Sequence, residues 1–138
     1  MEKQCEKEVI GLHKFFEQWF KSEIENDDET YARFENVMNE KFMLIMPTGK
    51  VTTREDLLVQ IRDGYGSRKD DAIPYRLWVK NIQCCLIEHN LCLVTYEEWG
   101  EVLGKTNARL SSALFRKKED TMNGVEWVHV HEVYIPID

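Results

Sequence analysis

The stretch Val125-Glu126-Trp127-Val128-His129-Val130-His131-Glu132-Val133-Tyr134-Ile135 is dense in β-branched and aromatic side chains and reads as a strand. Alternate residues of a strand share a face. Trp127, His129 and His131 are therefore expected on one face, with Val128, Val130 and Glu132 on the other. Two of the four histidines then stand two apart beside a tryptophan. That arrangement fits either the wall of a small-molecule pocket or a sheet-to-sheet dimer contact.

Working back from this strand, everything after Pro74 has the same character. Tyr75 to Ile87, Leu91 to Val102 and Ala108 to Lys117 read as three further strands. They are separated by the turn Glu88-His89-Asn90, by Gly104 and by the polar loop Glu119 to Gly124. Short loops between successive strands make an antiparallel meander. The strands do not alternate cleanly between apolar and polar: Leu91, Leu93, Thr95, Glu97 and Trp99 oppose Cys92, Val94, Tyr96 and Glu98. A sheet covered on both sides accounts for this, with helices on one face and a second subunit on the other.

The first third is helical by its spacing. Val9, Leu12, Phe16, Trp19 and Phe20 form an apolar stripe along a helix predicted from Glu2 to about Glu25. Asn26 with Glu29 reads as a capping box for a second helix running to about Asn39. Phe42 to Met46 is a short strand, and Pro47-Thr48-Gly49-Lys50 a turn. Thr52 with Glu55 reads as another cap, for a helix from Arg54 to about Asp63 that ends at Gly64. Helices followed by a meander define an α+β domain.

At 138 residues the chain is read as one domain. Its net charge of -7 repels phosphate backbones, so nucleic acid is not an expected partner. No apolar stretch is long enough to span a membrane, and the charged opening Met-Glu-Lys-Gln-Cys-Glu-Lys-Glu leads to the expectation of no signal peptide. Cys5, Cys84, Cys85 and Cys92 form no Cys-x-x-Cys pair and are read as reduced packing thiols in a cytoplasmic protein.

The chain resembles the nuclear transport factor 2-like superfamily, and within it the SnoaL-like and DUF4440 group. The resemblance is carried by Trp-Val-His-Val-His-Glu (127–132), Leu-Val-Thr-Tyr-Glu-Glu-Trp (93–99), Ala-Arg-Leu-Ser-Ser-Ala-Leu-Phe-Arg (108–116) and the Pro-Thr-Gly-Lys turn before the Arg54 helix. It implies a cone-shaped, cystatin-like fold, with three N-terminal helices packed on a curved antiparallel sheet around a cavity. Relatives of this kind include ketosteroid isomerase, polyketide cyclases, limonene epoxide hydrolase and a kinase association domain, so the fold leaves the function open.

Candidate site residues follow from residue type and position. His13 sits at the edge of the helical stripe, where an imidazole can serve as acid or base or be a hydrogen-bonded core histidine. Glu97 and Glu98 are adjacent in a strand, so one of them must face inward, beside Tyr96 or Trp99. An inward carboxylate there has its pKa raised by burial. Arg109 and Arg76 begin strands and fit either an ion pair with such a glutamate or a clamp on an anionic ligand. His129 and His131 would make a metal set only with a third ligand, such as Glu97, from a neighbouring strand; no spacing in the sequence supplies one, so no metal and no cofactor are expected. The residues Met46, Pro47 and Thr48 have no Asp or Glu within four positions on either side, which removes the isomerase's base carboxylate from that place.

His13, Tyr96, Glu97, Glu98, Trp99, Arg109, Trp127, His129 and His131 are thus the candidate pocket or interface residues. The leading expectation is a homodimer through the sheet that binds a small hydrophobic or anionic molecule in its cavity. An enzyme of proton transfer, cyclisation or hydration, and a pure association module, are the alternatives.

Overall fold

The structure, a computed structural model, describes residues 1–137. In chain order the elements are α1 (Glu2–Phe20), α2 (Asp28–Glu35), β1 (Met38–Ile45), β2 (Val51–Thr53), α3 (Arg54–Asp63), β3 (Arg76–Glu88), β4 (Leu91–Val102), β5 (Lys105–Lys117) and β6 (Val125–Tyr134). The strands form a single six-stranded sheet in the order β2-β1-β6-β5-β4-β3. The meander from β3 to β6 is antiparallel, and β1 joins β6 in parallel. The helices pack on one concave face. This is an α+β fold of the nuclear transport factor 2-like, cystatin-like type.

Helix α1 stops at Phe20, five residues short of the expected Glu25, because Ser22 turns the chain through a positive φ of 53°. The cap of α2 is Asp27 rather than Asn26; its side chain accepts from the Thr30 amide at 2.8 Å. Helix α2 ends at Glu35 and not near Asn39, since Met38 is already paired with Trp127 of β6. Pairing across the sheet overrides the apolar spacing that favoured a longer helix. At α3 the cap is Thr53, which accepts from the Asp56 amide. Thr52 is turned inside, 2% exposed, with its hydroxyl on the Met46 sulfur.

The core lies between α1 and the concave face of the sheet. Cys5, Val9, Leu12, Phe15 and Trp19 of α1 meet Cys92, Val94 and Tyr96 of β4, Ala113 and Phe115 of β5, and Trp127 and Val130 of β6. Full burial of side chains such as Trp19 or Phe115 contributes about 2–3 kcal/mol each. Gly64, which ends α3, passes close to α1, and a Cβ there would stand 2.9 Å from the Phe20 ring.

Two buried clusters lock the layers. Glu8 of α1 is fully buried and accepts hydrogen bonds from Arg33 at 3.1 Å, Asn123 at 3.0 Å and the Trp127 indole at 2.9 Å. The carboxylate so ties α1 to α2, the β5–β6 loop and β6. The other cluster is of thiols: Cys84 Sγ lies 3.3 Å from Cys92 Sγ, and Cys5 approaches Cys92 from the helix side. All four cysteines are free.

The expectation that Trp127, His129 and His131 share a face is overturned. Leu114 of β5 pairs with His129 and Phe115 with Trp127, so Val128 has no partner and forms a β-bulge. The bulge reverses the phase of the strand. Trp127, Val130 and Glu132 point inward at 2%, 5% and 4% exposure, while His129 and His131 lie in the outward row.

Candidate functional site

A cavity of about 310 Å³ lies between the helices and the concave sheet. Leu12, His13 and Phe16 of α1 and Leu57, Gln60 and Ile61 of α3 make one wall. Tyr96 and Glu98 of β4, Arg109 of β5, and Trp127, Val130 and Glu132 of β6 make the other. Leu44, Met46, Tyr75 and Leu77 also line it, together with four further apolar side chains, Phe20, Phe34, Met38 and Phe42. The lining is mostly apolar, with one connected group of polar side chains on the sheet wall.

Each polar group is placed by register. Glu98 pairs across the ladder with Arg109, and Tyr96 with Ser111, so all four face inward. Ser111 pairs in turn with Glu132. Arg109 Nη1 donates to Glu132 Oε1 at 2.9 Å, and the Ser111 hydroxyl to Glu132 Oε2 at 3.4 Å. From the helix side, His13 Nε2 meets Glu98 Oε2 at 2.9 Å, and His13 Nδ1 donates to the Val9 carbonyl at 2.8 Å. The imidazole stands edge-on to Tyr96 at 5.3 Å between ring centres.

A carboxylate only accepts hydrogen bonds. With Nδ1 donating to Val9, the His13–Glu98 bond needs a proton either on Nε2 or on the Glu98 carboxyl. Burial alone would depress the His13 pKa. The Glu98 hydrogen bond and charge, the Val9 bond and the Glu132 charge together outweigh it, and the net shift is upward. Burial pushes the Glu98 carboxyl up, but the His13 bond and charge and Arg109 hold it below its ordinary value. Glu132 goes the other way: burial and then the Glu98 charge raise it, more than Arg109 lowers it. The Tyr96 hydroxyl is raised well above 10 by burial and the two glutamates.

The nine residues singled out in the sequence separate into two groups. His13, Tyr96, Glu98, Arg109 and Trp127 line the cavity. Glu97, Trp99, His129 and His131 lie on the opposite face of the sheet. There Glu97 accepts from the Trp99 indole and from Asn81, Trp78 stacks beside Trp99, and Lys80 sits 4.1 Å over the Trp99 ring. Glu97 is therefore in no position to join the two histidines inside the cone, and no group of three His, Cys, Asp or Glu among the described residues is arranged to hold a metal ion. Arg76 is also outward, near Glu101. Of the polar cavity residues, Glu132, Tyr75 and Gln60 are those that sequence reasoning missed. Glu132 was hidden by the bulge, for which Val125 to Ile135 carries no glycine or other local signal.

Three helices on a curved sheet around a cavity are the nuclear transport factor 2-like fold. A protein of this fold from Pseudomonas aeruginosa, of unknown function, superposes with a TM-score of 0.83 at 16% identity, covering 96% of this chain and 99% of that one. The association domain of the calcium/calmodulin-dependent kinase II of C. elegans gives a TM-score of 0.61 at 18% identity, covering 96% and 97%. More narrowly, residues 5–136 match the sucrose-6-phosphate phosphohydrolase C-terminal family, and the chain belongs to it. Sucrose-phosphatase 1 of Nicotiana tabacum is 25% identical over 129 residues, which are 93% of this chain and 30% of that protein. The chain thus spans under a third of the length of this curated relative.

Proposed function

We propose that this domain binds one small organic molecule, largely apolar, in the cavity between its helices and its sheet, and that it accompanies a catalytic unit rather than carrying out the chemistry itself. The observation that carries the reading is the cavity: apolar walls from Leu12 to Val130 around a single connected group of polar side chains. Such a mixture is what small-molecule sites have, the walls holding the body and a few polar groups fixing orientation. An accessory role is supported by the tobacco relative, which is named a sucrose-phosphatase and of which this chain matches 30%. The unpaired cysteines support a reducing, cytoplasmic setting.

The test uses Nile red, an uncharged dye whose emission rises in apolar surroundings. The protein should bind it, and Leu44→Trp, which fills the cavity from β1, should bind it much less while keeping its far-ultraviolet circular dichroism. Equal binding by both proteins would remove the cavity as the site.

A second reading is favoured by the His13–Glu98 contact: an imidazole and a carboxylate 2.9 Å apart inside a cavity are a proton-transfer pair of the kind the SnoaL-like resemblance implies. Deuterium exchange next to the carbonyl of a bound cyclic ketone, present in the wild type and lost in Glu98→Gln, would favour the enzyme. No exchange above buffer would count against it. Homodimerisation through the convex face is part of the proposal, supported by the outward side chains Leu86, Leu110 and Val133, which are 55%, 44% and 47% exposed.

A further inference from the structure

We infer that the molecule held in this cavity carries a positively charged amine head on an apolar body, and that phosphate esters and carboxylates are turned away. The inference rests on the cavity being a ligand site and concerns which ligand it selects.

The charge arrangement of the polar group carries the argument. Two carboxylates, Glu98 from β4 and Glu132 from β6, face the same space, and Arg109 on β5 between them is the one permanent cation lining it among the described residues. Arg109 already gives Nη1 to Glu132. The groups facing His13 are Glu98 and Tyr96 from β4, Arg109 from β5 and Glu132 from β6, with Tyr75 ahead of β3 close to Glu98. None of these except Arg109 supplies a positive charge. With His13 neutral, the cluster is one negative charge in excess.

Its own geometry shows how it relieves this. The short contact between His13 Nε2 and Glu98 requires a shared proton, because Nδ1 is committed to Val9. That proton brings the cluster to neutrality, and a cationic head can take its place. Glu98 is the side chain placed to receive the head. It keeps 22% of its surface, and its Oε1 accepts no hydrogen bond among the described residues. An ammonium against Glu98 makes a charge-assisted bond and restores neutrality without breaking the Arg109–Glu132 pair. An added anion would be a third negative group in a buried place, with its only fixed counter-charge already engaged. An alcohol gains a hydrogen bond but no charge relief.

Binding an amine then expels the proton of the His13–Glu98 pair, which gives the inference a signature of its own. Three probes with one body are compared by titration calorimetry on the intact protein: cyclohexylmethylamine, cyclohexylmethanol and cyclohexanecarboxylate. Near pH 7, in two buffers of different ionisation enthalpy, the amine should bind about tenfold or more tighter than the alcohol. It should release a fraction of a proton, while the carboxylate shows no binding. Amine affinity should rise as the pH is raised through the His13 titration. Glu98→Gln should equalise amine and alcohol, and His13→Gln should bind the amine with a flattened pH response.

Alcohol or carboxylate bound as tightly as the amine, or amine binding without proton release, would overturn the inference and leave the small-molecule reading standing. No probe bound while Nile red enters would overturn the inference alone. No probe and no Nile red bound would overturn both.

Discussion

His13 on α1 and Glu98 on β4, 85 positions apart in sequence, meet at 2.9 Å inside the cavity and join the helix layer to the sheet. The His13 pKa is raised in the fold: burial lowers it, and the bond and charge of Glu98 more than offset that. A raised pKa means that the stabilisation is fully present below the unfolded histidine value of about 6.5 and is lost as the pH rises through the folded value. Glu132, also raised, acts in the same sense, since the fold gains stability as its carboxyl takes up a proton. Urea denaturation should therefore give a more stable protein at pH 6 than at pH 9. His13→Gln should lose about 1–3 kcal/mol at pH 6 and show a smaller difference between the two pH values. An unchanged difference would remove His13 as its source.

Glu8 has no exposed surface and accepts from three donors on three different elements. Glu8→Ala leaves the Arg33 guanidinium buried and unpaired, and should cost about 3–5 kcal/mol. Glu8→Gln keeps an acceptor and should cost less. A loss under about 1 kcal/mol for the alanine variant, the size expected of an ordinary single hydrogen bond, would mean that water takes over the three donors.

The thiols should differ sharply in reactivity. Burial pushes the Cys5 thiol up, and burial together with the neighbouring thiols pushes Cys92 further in the same direction. Cys85 is exposed on the other face of β3. Iodoacetamide on the native protein, followed by peptide mass spectrometry, should modify Cys85 first and leave Cys5 and Cys92 thiol until denaturant is added. Early labelling of Cys92 would show that the end of the cavity core near α1 opens in solution.

The convex face gives the oligomer prediction. A dimer through it should bury roughly 800 Å² per partner, with Leu110, beside Val133 across the β5–β6 ladder, within the contact. Sedimentation velocity at micromolar concentration should show a dimer for the wild type and a monomer for Leu110→Glu. A wild-type monomer would rule the contact out.

Much of the fold was legible because its signals are local. The apolar stripe of α1, the turn residues between strands and the resemblance along residues 93–132 all point to three helices on a curved sheet. Features set by pairing between distant segments were not. Nothing in Met38 announces that it will pair in parallel with Trp127, so the strand was expected to begin at Phe42. The site was legible in part for the same reason. Alternation requires one of Glu97 and Glu98 to face inward but does not choose; the choice is made by Tyr96, which alternates with Glu98 and sits in the core. Glu132 was unreadable, because its face depends on a strand irregularity that only the ladder with β5 defines.

That irregularity also fixes how the last strand tolerates insertions and deletions. Val128 is the surplus residue. Removing it would leave Trp127, Val130 and Glu132 inward and the histidines outward, since simple alternation would then give the same result that the bulge gives now. Adding one more residue beside it would also keep the histidines outward and Glu132 beside Arg109, since two residues between Trp127 and His129 give that facing by simple alternation. A chain one residue shorter or longer at this point therefore keeps the same interior chemistry by simple alternation, and only the present length needs the bulge to hold Glu132 inside. Sequence comparisons within the family have to be counted from Val128 before a residue is assigned to the inside or the outside of the cone.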